Sequence, residues 1–215
     1  LNRLWPLAFL GLSACVPLPF GIPPTKIEAG VAARLGDDEP GAATFPLRAS
    51  FHLLQAFLEQ HERSFDVGPG WGVYPTTSGS LTHGPFLEAG WLHPTKFGED
   101  GSGWRFGVNG KGHYLFASDL DSGFGVTLQA TMEWTSFVTG PFAECTVNSS
   151  SDPYEPEPSG KDSCSIGVSE GEGGIGFFVE TSYAKLGGAD VGWVGGGLVF
   201  RIPMSVGIVF VPLWD

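Results

Sequence analysis

Charge is scarce in this chain of 215 residues. Only 16% of them are Asp, Glu, Lys or Arg, where a soluble domain carries about 25%. Basic residues are the scarcer half, with Lys and Arg totalling 11 against 23 Asp and Glu, a formal net charge of −12. That balance excludes nucleic acid as a partner, because phosphate binding needs a basic face. The leading apolar stretch, Leu4–Leu12, is too short to cross a bilayer as a helix. Metal-ligand spacing is missing as well: His52, His61, His83, His93 and His113 are scattered, with no H-x-H or H-E-x-x-H. Gly195-Gly196-Gly197 lacks the strand–loop–helix context of a phosphate cradle. His113, Glu133 and Glu180 could share an interior, yet no Ser occupies an identifiable nucleophile position. The expectation is therefore no enzyme, no catalytic residue, no metal and no cofactor.

What the chain has is glycine (33 residues), aromatics (13%) and alternation. Phe124, Val126, Leu128, Ala130, Met132 and Trp134 fall on one side of a period-2 pattern; Gly125, Thr127, Gln129, Thr131, Glu133 and Thr135 fall on the other. Such a run is longer than the usual soluble strand of about five or six residues and suits a tilted membrane-crossing strand of about 9–11. The same pattern recurs in Lys26–Arg34, Phe65–Tyr74, Trp104–Phe116, Ile175–Tyr183, Val191–Ile202 and Ser205–Trp214, and less regularly in Leu81–His93. Ser50–Arg63 is ambiguous. Phe51, Leu53, Leu54, Phe57 and Leu58 sit at helical spacing, while Phe45, Leu47, Ala49, Phe51 and Leu53 alternate, which favours a strand slightly. The predicted fold class is all-β, an antiparallel up-and-down barrel of 8–10 transmembrane strands. Short turns at Pro75–Ser80, Ser118–Ser122 and Gly187–Asp190 alternate with long connections at Pro94–Gly103 and Gly140–Gly173, as in transmembrane barrels. Pro203-Met204 breaks that rule, being very short where a long connection is expected.

The polar faces decide which solvent lies outside. They are mostly Gly, Ser and Thr, where a water-facing sheet usually carries Lys, Glu and Arg. Small residues suit a narrow bore that side chains just fill. The isolated charges Glu88, Arg105, Lys111, Glu133 and Glu180, with His113, are expected to form a polar network in that lumen. Trp71, Trp91, Trp104, Trp134, Tyr183 and Trp214 lie toward strand ends, as interfacial girdles require. The acidic clusters (Asp37 to Glu39, Glu99 and Asp100, Glu144 to Glu172) read as solvated loops, with divalent-cation bridging to an anionic lipid surface as the weaker alternative. A soluble lipocalin is the competing barrel, but its opening G-x-W would have to stand in the first strand. Here Gly101-Ser102-Gly103-Trp104 and Gly68-Pro69-Gly70-Trp71 lie mid-chain.

Leu12-Ser13-Ala14-Cys15, after Arg3 and the apolar stretch, resembles the bacterial lipobox. That resemblance implies cleavage of a signal peptide (1–14), lipidation of Cys15, and a tether over 15–25 ahead of a barrel over 26–215. Val16 lacks the Asp that retains lipoproteins at the inner membrane. With Cys15 acylated, Cys145 and Cys164 remain as one pair for a disulfide bearing on the outer loop 140–173. Ser205-x-Gly207-x-x-Phe210 resembles the assembly signal of outer-membrane barrels but departs from it at Pro212 and Asp215. Together these features resemble the OmpA/OmpX-type small outer-membrane barrels. The resemblance implies a bacterial outer-membrane lipoprotein, monomeric, of structural or surface-interaction type, with outer-membrane lipid and a surface or periplasmic protein as partners. The alternatives left open are a narrow pore or small-ligand carrier, a lipocalin-like soluble barrel binding an apolar ligand, and a lipid-modifying enzyme.

Overall fold

The computed structural model describes residues 15–35, 42–52, 64–94, 101–118, 121–146 and 163–212. Every regular element among them is a strand: β1 (Cys15–Ile22), β2 (Thr25–Leu35), β3 (Ala43–Thr44), β4 (Leu47–Phe51), β5 (Phe65–Pro75), β6 (Leu81–Pro94), β7 (Ser102–Ala117), β8 (Gly123–Thr146), β9 (Ser163–Leu186), β10 (Ala189–Ile202) and β11 (Met204–Pro212). The chain divides into two compact units, one of Pro23–Val138 with Glu170–Met204, the other of Leu1–Ile22, Thr139–Ser169 and Ser205–Asp215. β8 and β9 contribute residues to both.

The first unit is a closed antiparallel barrel of 8 strands, ordered β2-β4-β5-β6-β7-β8-β9-β10 and sealed where β10 pairs with β2. The alternation in the sequence becomes its two faces. In β7 buried and exposed residues alternate without a break from Gly103 to Phe116, and in β8 Phe124, Val126 and Leu128 are 73%, 60% and 58% exposed. The bore is narrow, and glycine makes room inside it. A Cβ on Gly70 would come within 2.4 Å of the Phe86 ring, and one on Gly72 within 2.4 Å of the Tyr74 hydroxyl. These aromatics lie over glycine on one side and against His113 on the other. The hairpin from β9 to β10 turns through Gly187 (φ 57°) and Gly188 (φ 89°), consecutive left-handed positions that match a type I′ turn and its twist.

In the second unit β1 pairs antiparallel with β11, from Cys15 opposite Pro212 to Ile22 opposite Ser205. β11 also neighbours β9, where the Ser169 and Ser205 hydroxyls lie 2.9 Å apart. Three expectations are corrected here. Most of the stretch expected as a tether is a strand, β1. Pro17 and Pro19 are two residues apart, so their missing N–H groups face the same side; β1 ends the strand order, and an edge strand tolerates that. The described parts of the outer loop expected over 140–173 are strand, since β8 runs to Thr146 and β9 starts at Ser163. β11 is not a stave of the closed barrel, which explains the anomalous connection at Pro203: it does not join two barrel neighbours. The count of 8–10 staves resolves at the lower value. β4 supports the strand alternative for its stretch, while residues 53–63 lie outside the described residues, as do 1–14, the 36–41 turn and Trp214. Cys145 and Cys164 lie in β8 and β9, with side chains outside the described set.

Candidate functional site

The charged residues of the barrel sit where a soluble protein keeps its oil. Buried there are the cations Lys26, Arg48, Arg105, Lys111 and Arg201, the carboxylates Glu28, Asp66, Glu88, Glu133, Glu172 and Glu180, and the imidazoles of His52 and His113. All but His52, which follows β4, are delivered by strand alternation, on the inward parity of their strands. All six residues expected in a lumen network (Glu88, Arg105, Lys111, His113, Glu133 and Glu180) face this interior.

At its centre two lysines and two glutamates form a closed ring. Lys26 Nζ lies 3.1 Å from Glu28 and directly on Glu88, while Lys111 Nζ lies 2.9 Å from Glu28 and 3.0 Å from Glu88. β2 and β7 stand opposite each other in the strand order, so the ring spans the bore. Gln129 accepts a further 2.8 Å hydrogen bond from Lys111 and donates to Glu180 at 3.3 Å. Arg48 extends the network, its Nε 2.9 Å from Glu28 and its Nη2 2.6 Å from Glu180. Phe178 supports the same guanidinium, 5.3 Å from its ring centroid. Arg201 bridges Asp66 (2.9 Å) and Glu133, and Arg105 engages Glu172. A buried charge loses its hydration, several kcal/mol per ion, and only such mutual pairing offsets that loss.

The network separates the expected residues into groups. Glu88 and Lys111 share the central ring, Glu180 joins it through Arg48 and Gln129, and Glu133 belongs to Arg201. His113 stands apart. Its Nε2 is 2.9 Å from Thr127 Oγ1 and its Nδ1 is 3.2 Å from the Tyr74 hydroxyl. His113, Glu133 and Glu180 therefore do not assemble as an acid–base set. The sequence did not single out Lys26, Glu28, Arg48, His52, Asp66 or Arg201, and Glu172, expected in a solvated loop, is instead buried in β9 against Arg105. Lys26 and Glu28 were legible as the polar parity of K-I-E-A-G-V; Arg48 was hidden by the brevity of β4.

His52, Asp66 and Glu88 bring one imidazole and two carboxylates to within 4.8 Å of one another. The donor types suit a divalent cation, but Lys26 and Lys111 hold Glu88 and Arg201 holds Asp66. A metal ion there would face three fixed positive charges, and the ion pairs account for the cluster without it.

Toward the end of the barrel that carries the 76–80 and 187–188 turns, the interior changes character. Leu115, Ala184 and Leu186 form an apolar cluster with Tyr74, Ala117 and Trp193 packed against it. Beside it opens a cavity of about 510 Å³, counted with the space open to solvent. No protein-family model matches the chain, and no curated protein matches it at a significant level.

Proposed function

We propose that the protein is a bacterial outer-membrane β-barrel lipoprotein of structural or surface-interaction type, of the same general kind as the OmpA/OmpX-type small barrels. One observation carries this reading: the polarity of the barrel is inverted. Most of its charges are inside, and a continuous series of apolar side chains runs along the outside of the strands. Soluble monomers rarely expose apolar patches larger than a few hundred Å². Hydrocarbon is the solvent that such a surface suits. Trp71, Trp91, Trp104, Trp134 and Tyr183 all project outward, and amphipathic rings of this kind favour the membrane–water interface.

The interior weighs against the competing functions. A lipocalin-like carrier needs an apolar cavity at its centre, whereas this centre is filled by ion pairs. A pore needs a continuous polar path, and the lysine–glutamate ring crosses the bore. The lipobox residues Leu12-Ser13-Ala14-Cys15 support export, cleavage ahead of Cys15 and its acylation. With that thiol modified, Cys145 and Cys164 are left to form a disulfide. Outer-membrane lipid is the proposed primary partner, with a surface or periplasmic protein as the second.

The test is membrane fractionation of the expressed protein together with its gel mobility before and after boiling. Recovery with outer membranes and a band that migrates differently until heated are expected, as for a closed barrel in lipid. A protein that remains in the aqueous fraction once its acyl group is removed would sink the reading.

A further inference from the structure

The cavity beside the apolar cluster has walls of Ala32, Leu115, Ala184 and Trp193, and a polar floor of His113, Thr127 and Ser182. The floor is a chain of hydrogen bonds. Tyr74 hydroxyl to His113 Nδ1 is 3.2 Å, His113 Nε2 to Thr127 Oγ1 is 2.9 Å, and Thr127 Oγ1 to Ser182 Oγ is 2.8 Å. The Tyr74 hydroxyl proton has one acceptor among the described residues, His113 Nδ1, and this sets the direction of the whole chain. The phenol proton goes to His113 Nδ1. The imidazole then carries its own proton on Nε2 and donates it to Thr127, whose proton in turn goes to Ser182 Oγ. Ser182 ends the series. Its hydroxyl proton has no acceptor among the described residues, and Ser182 lines the cavity.

We propose that this vestibule is a binding site for a small neutral molecule with an apolar body and one hydrogen-bond acceptor, a ketone or ester carbonyl, whose oxygen takes the Ser182 hydroxyl proton. The walls supply apolar contact and the floor supplies one oriented donor, the common design of a small-molecule pocket. An anionic ligand is disfavoured because the Glu180 carboxylate also lines the cavity. The site is formed within the barrel unit alone, so it stands whether the outer face meets lipid or water.

The experiment uses the full chain folded in detergent, with acetophenone as probe and Trp193 as reporter, since aromatic ketones quench indole fluorescence. The expected result is a saturable component of quenching superimposed on the linear loss from the outward tryptophans. That component vanishes in Trp193→Phe. Ser182→Ala weakens it roughly two- to tenfold, the worth of one neutral hydrogen bond. Ethylbenzene, which lacks the acceptor, competes more weakly than acetophenone by a similar factor. Thr82→Phe, at a half-buried position lining the cavity, abolishes saturation by filling it. Circular dichroism of each variant confirms the strand content. Purely linear quenching overturns the proposal, and so does saturation that Ser182→Ala leaves unchanged. Either failure leaves the fractionation test of the outer-membrane reading unaffected.

Discussion

A carboxylate enclosed by a barrel wall keeps its charge only if neighbouring cations replace its lost hydration. Glu88 meets that condition through Lys26 and Lys111 together. Glu88→Gln removes the charge and leaves two lysines sharing Glu28. The expected loss is about 3–5 kcal/mol, the cost of stranding a buried charge, read from the urea midpoint at unchanged slope. A double variant, Glu88→Leu with Lys111→Met, takes out one charge of each sign and leaves Lys26 with Glu28. It should be markedly more stable than Glu88→Gln alone, because apolar replacement of a whole pair restores charge balance. Equal losses in the two proteins would show that the ring is not the stabilising unit. Sequence alternation identified Glu88 and Lys111 as inward-facing, but gave no means of seeing that they meet Lys26 and Glu28. Parity tells which face a side chain is on, and nothing about what stands opposite.

At the scale of the strand, β8 is the sharpest probe of what lies outside. Leu128 is in the middle of its exposed apolar series. Leu128→Arg is expected to cost about 2–4 kcal/mol if that face is in hydrocarbon near the bilayer midplane, and well under 1 kcal/mol if it is in water. Unfolding of the vesicle-bound protein in urea separates the two. β8 and β9 also bear on the proposed disulfide. Gly123 stands against Leu186, Gly125 against Ala184, Gly176 against Glu133 and Gly174 against Thr135. Cys145 and Cys164 lie in these two paired antiparallel strands, and a cross-strand bridge between them is the proposed pairing. Maleimide should then label neither cysteine in denatured, unreduced protein and both after reduction. Two reactive thiols before reduction would refute the pairing. Strands of ten or more alternating residues were legible in the sequence because each carries its own periodic signal. β4, with five residues, was legible only as the slightly favoured alternative to a helix, and β1, with its prolines, was not legible, since pairing with neighbours makes them strands.

For the whole barrel, the network that fills the bore makes a functional statement. Opposite walls are tied by Lys111 to Glu28, and neighbouring ties run from Arg48 to Glu180 and from Arg201 to Asp66. An ion passing through would have to separate several buried pairs, each held in a low-dielectric enclosure. Reconstituted into planar bilayers, the protein should give no sustained conductance. Stable channel currents would count against the structural reading and in favour of a pore. The vestibule belongs to a different part of the same bore, where hydroxyls and apolar side chains replace the charges. Its existence was not visible in the chain, because its walls come from residues as distant as Ala32 and Trp193.

The linear chain by itself determined the all-β class, the two faces of each long strand and the hairpin neighbours, since period-2 patterning and turn residues act over a few positions. Only the tertiary structure decided that β10 closes on β2, that β11 leaves the barrel to pair with β1, and which charges meet. The reason is separation. Lys26 finds Glu88 across 62 residues and Arg48 finds Glu180 across 132, distances over which no local pattern operates and only closure of the wall brings the partners together.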